Sequence, residues 1–178
     1  MRTLLSLDAR TLMTWATEIT PLRIPLGREG QRWVELQKPT SLEVVEGQGV
    51  RLETSGRVRW TWKGMGAPLR LRRVRALIAP RVVEGGTLVF PMRFEHADLV
   101  RVPRVVEEAI RLRVEEVLAS EKETPLRVEL ARSLDLRVPV RALERSIHFD
   151  LTRASVYVRD GAVQLRVEID AAMEQLVG

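Results

Sequence analysis

The sequence of 178 residues contains no cysteine. This absence excludes a disulfide framework, a thiol nucleophile, and zinc or iron–sulfur sites built on cysteine. Long apolar runs are also absent, since no stretch approaches the roughly 18 uncharged apolar residues that a membrane-spanning helix requires. Asp8 and Arg10 interrupt the first apolar residues before these reach the length of a signal peptide, so we expect a cytoplasmic protein.

Aromatic residues make up only 4% of the chain, and lysine occurs only at Lys38, Lys63 and Lys122 among 29 cationic residues. Arginine is therefore the main cation, and its planar guanidinium suits bidentate contacts with carboxylates and phosphates. The remaining composition, 45% apolar and 30% charged with a mean hydropathy of −0.09, is typical of a folded soluble protein. We expect one domain over residues 1–178, built from two helix-plus-meander halves at about 1–98 and 99–178.

Two segments have apolar residues at helical spacing. The first runs from Asp8 to Ile19, with Ser6 or Asp8 as the N-cap and Pro21 as the stop. The second is predicted over 103–120 and is the longer one. Its apolar stripe consists of Val106, Ile110, Val114, Val117 and Leu118.

Most of the remaining chain alternates between apolar and polar residues with period two, which is typical of half-buried antiparallel strands. Asp160-Gly161 and Gly85-Gly86 are hairpin signals between such segments. The predicted fold class is α+β, with a strongly curved antiparallel meander sheet wrapped around the long amphipathic helix and a second, short N-terminal helix.

A basic segment at 51–83 contains nine cations and a single carboxylate, that of Glu53. The apolar phase changes at Arg72-Arg73, which predicts a β-bulge that keeps the neighbouring cations on the solvent side. The same phase argument sends Trp60 and Trp62 into the core. The predicted basic face consists of Arg57, Arg59, Lys63, Arg70, Arg72, Arg73 and Arg75.

Motifs that commit residues to catalysis are missing. The sequence has neither a phosphate-binding glycine loop nor a G-x-S-x-G nucleophile elbow. His96 lies beside Glu95 and Asp98, but strand alternation places it on the apolar side, away from Glu95. We therefore expect no catalytic residue, no metal site and no cofactor.

The apolar faces admit two interpretations, a filled core or an elongated apolar groove between the curved sheet and the long helix. The groove would be lined by residues from the long helix and from two strands. These candidate residues are Phe90, Phe94, Val106, Ile110, Val114 and Phe149.

The order of elements resembles that of the tubular lipid-binding (TULIP) superfamily, including its small bacterial members. A helix, a long meander, a second helix and further strands ending in the hairpin from Val156 to Ile169 carry this resemblance. The resemblance implies a bent sheet around a long helix that holds lipids or other apolar molecules without catalysis. Unlike the lipoprotein members, this sequence contains no cysteine for lipidation, and we expect no leader from its first residues.

The preferred prediction is a non-enzymatic protein that binds a lipid-like or other apolar ligand in the groove. Its arginine face would contact an anionic headgroup, a membrane surface or an acidic protein partner. The alternative is an assembly subunit with a filled core that docks other proteins through strand edges and the arginine face. A third possibility is a nucleic-acid binder using the basic segment. The oligomeric state is left open.

Overall fold

A computed structural model describes residues 1–26, 31–62, 65–100, 102–119, 126–130, 136–140 and 145–175. Within these ranges it describes every side chain except those of 61, 62, 65, 67, 136–140, 145–149 and 173–175. The helices are α1 (Ala9–Ile19) and α2 (Arg104–Ala119). The strands are β1 (Arg2–Asp8), β2 (Leu22–Pro25), β3 (Trp33–Leu36), β4 (Ser41–Val45), β5 (Gly49–Trp62), β6 (Met65–Ile78), β7 (Arg81–Val83), β8 (Thr87–Val89), β9 (Met92–Leu99), β10 (Arg127–Glu129), β11 (Leu136–Val140), β12 (Arg145–Arg159) and β13 (Ala162–Gln175).

These strands form three sheets in which the paired strands are antiparallel. Sheet A has the order β1-β13-β12-β11, sheet B the order β2-β3-β5-β6-β9 with β4 also paired to β5, and sheet C the order β10-β8-β7. The predicted α+β class with mostly antiparallel sheet is confirmed. Sheets A and C each combine strands from both sequence halves, because β1 pairs with β13 and β10 pairs with β8.

Two hairpins lie where the sequence predicts them. Asp160 and Gly161 join β12 to β13 with φ values of 55° and 68°, the left-handed conformation that a tight two-residue hairpin requires. Gly85 and Gly86, with φ values of 81° and 71°, lie in the three-residue loop that joins β7 to β8, where the Gly86 N–H donates to the Val83 carbonyl oxygen at 3.2 Å. Turn chemistry therefore sets these two strand registers.

The bulge in β6 is also confirmed. Thr54 lies opposite Val74 and Gly56 lies opposite Leu71, so the register shifts across Arg72 and Arg73. Gly56 is needed at this point, because a Cβ atom there would lie 2.3 Å from the Glu35 carbonyl oxygen on β3. The bulge places both Arg72 and Arg73 on the exposed side of the strand.

The main core lies between α2 and the inner face of sheet B. The predicted α2 stripe is present there, since Ile110, Val114, Val117 and Leu118 are buried. They belong to one apolar cluster with side chains of β3, β5, β6 and β9, namely Val34, Val58, Leu71 and Phe94. The predicted wrapping of a curved sheet around this helix stays a prediction.

Candidate ligand cavity

A cavity of about 660 Å³ lies beside α1 and is bordered by side chains from all three sheets. Its volume falls within the range of about 300–1,000 Å³ that is typical of small-molecule sites. The apolar side chains on its wall are Leu5, Leu7, Leu12, Trp15, Ala16, Ile19, Leu22, Leu36, Pro39, Leu42, Val50, Leu52, Ile78, Pro80, Leu88, Phe90, Met92, Leu126, Val128, Val156, Val163 and Leu165.

Strand alternation explains why the wall is apolar. Leu5 and Leu7 on β1, Val50 and Leu52 on β5, and the corresponding residues of β13 are spaced two residues apart and point to one face. The polar residues at the wall are Glu18, Thr20, Gln37, and Thr54. The cavity thus presents an almost continuous hydrocarbon surface.

The threonine hydroxyls at the wall are already engaged with the protein backbone. Thr54 Oγ1 donates a hydrogen bond to the carbonyl oxygen of Gln37 at 2.6 Å, and Thr20 Oγ1 donates to that of Ala16 at 2.9 Å. Glu18 is exposed at the rim. Because these groups already have partners or contact solvent, the interior of the cavity is suited to apolar chains rather than to polar ligands.

Helix α1 forms one side of the cavity, and none of its residues is buried. Trp15 remains 47% exposed and Ile19 62% exposed, although both face the cavity. Leu5, on the adjacent β1, is 46% exposed. The cavity is therefore open to solvent along α1, and the apolar face of this helix has little protein to pack against.

The start of α1 is fixed by Asp8, whose carboxylate accepts a hydrogen bond from the Thr11 backbone N–H at 2.8 Å. This bond lowers the pKa of Asp8 below its ordinary value. Asp8 was one of the two predicted N-caps, and the helix ends before Pro21 as expected. Asp8 is therefore both the last residue of β1 and the N-cap of α1.

The six residues of the predicted groove are distributed over two places. Phe90 lines the cavity. Phe94, Ile110 and Val114 lie in the core beneath α2, where the remaining space is about 20 Å³. Val106 is partly buried against the same core, and the side chain of Phe149 lies outside the described part of the structure. The cavity is thus beside α1, whereas the sequence pattern placed it along α2.

The basic face lies on the side of sheet B that points away from the cavity. Arg57, Arg59, Arg70, Arg72 and Arg73 are exposed and Arg75 is half-buried, whereas Lys63 lies outside the described residues. On β5 these cations alternate with the inward-facing residues of the same strand. The face therefore cannot contact the part of a ligand that occupies the cavity.

Carboxylates neutralise part of this face. Arg75 donates to Glu53 at 2.8 and 2.5 Å, and Arg73 donates to it at 3.1 Å. These hydrogen bonds, chiefly that from Arg75, lower the pKa of Glu53. Arg51 similarly binds Glu95 at 2.7 Å and lowers its pKa. The basic segment is consequently a network of ion pairs at one end.

Four arginines of the predicted face make no ion pair with another residue that the structure describes. They are Arg57, Arg59, Arg70 and Arg72. Arg57 and Arg70 lie opposite each other on β5 and β6, so two like charges face one another there. The remaining cationic patch is therefore smaller than the sequence pattern predicts.

The predicted placement of His96 on the apolar side of its strand is wrong. A register shift between Arg75 and Ala76 makes Glu95 an extra residue in β9, so His96 emerges on the exposed side with Glu95. Its Nε2 atom lies 3.0 Å from an oxygen of Asp98, and both side chains are about half exposed. Among the described residues, no group of three histidine, aspartate or glutamate side chains could hold a metal ion.

The prediction that Trp60 and Trp62 enter the core can be checked at Trp60. Trp60 is half-buried and packs against the core, and the guanidinium of Arg32 lies 4.6 Å from its ring centre. The side chain of Trp62 lies outside the described part. Tyr157 is exposed on sheet A, with the guanidinium of Arg159 5.4 Å from its ring centre.

Sequence reasoning identified the apolar stripe of α1 but missed β1 and the role of both elements as walls of the cavity. The period-two spacing of Leu5 and Leu7 is the sequence signal that could have identified β1 as a strand with one apolar face. Within the described ranges, none of the helices is long and apolar enough to cross a membrane.

Comparison with known proteins gives little further information. No protein family and no curated protein matches this sequence. Among solved structures, the chain is similar to a lipopolysaccharide binding protein, with 11% sequence identity and a TM-score of 0.43. The alignment covers 98% of this chain and 52% of that one, so this chain spans about half the length of that protein. At this TM-score the likeness carries no argument about function, and the resemblance to the TULIP superfamily stays a prediction.

Proposed function

We propose that this protein binds a lipid-like ligand, without catalysis, by enclosing its apolar chain in the cavity beside α1. The observation that carries the proposal is the combination of a 660 Å³ apolar cavity with a helix that has an apolar face and no buried residue. A hydrocarbon chain in the cavity would cover the wall residues Leu12, Trp15 and Ile19. The ligand would thereby supply the packing that α1 does not obtain from the protein.

The energetics favour a flexible apolar chain. Burial of each methylene group contributes about 0.8 kcal/mol. The hydroxyls of Thr20 and Thr54 already donate to backbone carbonyls, so they impose no polar requirement on the buried part of the ligand. A polar headgroup would then remain at the solvent-exposed rim near Glu18 and Trp15.

A non-catalytic role is supported by the chemistry of the wall. A hydrolytic site needs a nucleophile and a base within hydrogen-bonding distance of each other. The polar wall residues are Thr20, Thr54, Gln37 and Glu18. The two threonine hydroxyls donate to backbone carbonyl oxygens rather than to Glu18, which is exposed at the rim, and Gln37 bonds to Glu35 at 3.1 Å. We assign no nucleophile or base among them.

The arginine face would serve a separate anionic partner, because its side chains project from the opposite side of sheet B. The four arginines without a described ion-pair partner support this part of the proposal. We favour an anionic surface over a nucleic acid, since the exposed aromatic residues Trp15 and Tyr157 lie on α1 and on sheet A. Trp33, which lies opposite Arg59, is half-buried, and the guanidinium of Arg23 covers its ring at 4.3 Å.

The proposal can be tested by filling the cavity. We expect Ala16→Trp, which places an indole inside the cavity, to weaken binding of a fluorescent fatty acid at least tenfold while leaving the thermal unfolding transition intact. Ala109→Trp is the matched control, because Ala109 is exposed on α2 and distant from the cavity wall. Native mass spectrometry of the gently purified protein should also detect a bound lipid.

Two outcomes would contradict the proposal. If the parent protein carries no ligand and binds no fatty acid, or if both tryptophan variants bind equally well, the cavity is not a lipid site. The assembly-subunit alternative would then be preferred.

A further inference from the structure

Strand β1 lies at one edge of sheet A, and its outer edge is unpaired among the described strands. All of its residues except Leu7 are exposed. Leu4 is 55% exposed and Leu5 is 46% exposed. An exposed edge strand with apolar side chains is a template for pairing with another strand.

The hydrogen-bond pattern shows which backbone groups of β1 face outward. Met1 and Ile169 exchange both of their backbone hydrogen bonds, at 2.5 and 2.8 Å. Bonded pairs recur at every second residue of an antiparallel ladder, so Thr3 and Leu5 bond to β13 in the same way. The N–H and C=O groups of Arg2, Leu4 and Ser6 consequently point to the free edge.

We propose that β1 pairs antiparallel with β1 of a second copy of this chain. Full overlap of the strand with itself places Leu5 opposite Leu5 of the second copy on a two-fold axis. Leu4 then lies opposite Ser6, and Arg2 lies opposite Asp8. This register brings the outward-facing backbone groups of the two strands together, because the residues that bear them pair with one another.

Charge complementarity favours this register. The side chain of Arg2 is exposed and binds Glu168 of its own chain at 3.1 Å through Nε. In this register it also meets the negative side chain of Asp8 of the second copy, at both ends of the interface, and like charges opposite one another are avoided. A lipid bilayer would also cover Leu4 and Leu5, but its hydrocarbon interior offers no partner for the outward N–H and C=O groups. A second strand covers the leucine side chains and also pairs with the outward N–H and C=O groups.

The pairing has a consequence for the cavity. Leu5 belongs to the cavity wall, and directly paired residues of antiparallel strands point to the same face. The walls of the two cavities would therefore meet at the two-fold axis. Because the interface is one short strand from each copy, we expect a weak dimer, at the small end of specific interfaces.

Cysteine cross-linking tests the register directly, because the chain has no cysteine of its own. Opposed residues at a non-hydrogen-bonded pair have Cα atoms about 4.5 Å apart, within the range of a disulfide. We expect Leu5→Cys to form a covalent dimer under mild oxidation at least tenfold faster than Leu4→Cys. Each Leu4 lies one residue from the two-fold axis, so the two copies are two residues apart along the strands. Their Cα atoms are then about 8 Å apart, beyond the roughly 7 Å limit for a disulfide.

Leu112→Cys controls for random collision, since Leu112 on α2 is 55% exposed, as is Leu4. Preferential cross-linking of Leu5→Cys over both other variants would support the proposal. Equal rates for all three variants, or the fastest cross-linking at Leu4→Cys, would overturn it.

Sedimentation equilibrium provides a second, cysteine-free measurement. Ser6→Pro removes an outward-facing N–H but no hydrogen bond to β13, so dimerisation should weaken at least tenfold with little change in thermal stability. Leu4→Lys should act in the same direction, whereas Leu112→Lys should not. The inference would be contradicted if the parent protein stays monomeric at its highest soluble concentration. It would equally be contradicted if the protein is monomeric and neutral vesicles, rather than a second copy, protect the leucines of β1.

Discussion

The two helices of this protein have similar sequence patterns and opposite environments. Both carry an apolar stripe at helical spacing, but α2 buries four of its residues and α1 buries none. The stripe of α2 lies against the inner face of sheet B, where about 20 Å³ of space remains, whereas that of α1 lies beside a cavity of about 660 Å³. An amphipathic pattern therefore predicts that a face will be covered, but it does not specify what covers it.

The polar sides of the helices differ as well. On α2, Arg111 binds Glu108 at 2.6 Å and Glu115 at 2.9 Å, and these carboxylates raise its pKa. On α1, the hydroxyls of Thr14 and Thr17 bond back to carbonyl oxygens one turn earlier. The charged side chains of α1, those of Arg10 and Glu18, form no ion pair with another residue that the structure describes. The docking of α1 therefore depends more strongly on its apolar side.

The largest expected effect is the loss of the α2 core. Ile110 is 3% exposed, and Ile110→Asp would place a carboxylate among apolar side chains. We expect the free energy of unfolding to fall by about 3 kcal/mol or more, measured by urea denaturation. Leu112→Asp, on the exposed side of the same helix, should change it by about 0.5 kcal/mol or less. An Ile110→Asp variant as stable as the parent would mean that this face of α2 is not packed.

A pair of identical substitutions sharpens the contrast between the helices. Leu118 on α2 is 1% exposed, whereas Leu12 on α1 is half-buried at the cavity wall. We expect Leu118→Ala to cost about 2–5 kcal/mol, and Leu12→Ala about 1 kcal/mol or less, because Leu12 already borders open space. Both changes in the free energy of unfolding would be measured by urea denaturation of the ligand-free protein. Equal costs would show that α1 is packed as tightly as α2.

The parts of the fold that follow from local chemistry could be predicted from the sequence. The N-cap at Asp8, the stop before Pro21, the hairpin at Asp160-Gly161 and the bulge at Arg72-Arg73 depend on neighbouring residues. These features are fixed by backbone preferences that a short window of sequence contains.

The cavity could not be predicted from the sequence, because it is formed by contacts between distant parts of the chain. The cavity exists because β1 pairs with β13, which are separated by most of the sequence, and because α1 then crosses between sheets. The error at His96 has the same origin, since the extra residue Glu95 is visible only in the pairing of β9 with β6. Strand periodicity gives the faces of single strands but not their partners.

The smallest expected effect concerns the cap of α1. The Thr11 N–H holds the pKa of Asp8 below its ordinary value in the folded protein, so ionised Asp8 stabilises the fold above the unfolded-state pKa. This contribution is lost as the pH falls through the lower, folded-state pKa. Asp8→Asn keeps the capping oxygen but cannot ionise.

We therefore expect the parent to be slightly more stable than Asp8→Asn at neutral pH, with the difference disappearing in strong acid. The measurement is urea denaturation across this pH range at a protein concentration that keeps both proteins monomeric, so that pairing of Asp8 with Arg2 of a second copy does not contribute. Glu18→Gln, on the same helix, controls for the loss of one negative charge. Because α1 has no buried residue to hold it, the cap should matter most for the ligand-free protein, and saturation with fatty acid should reduce the difference. A difference that is constant with pH would show that the Asp8 carboxylate does not stabilise α1 through its charge.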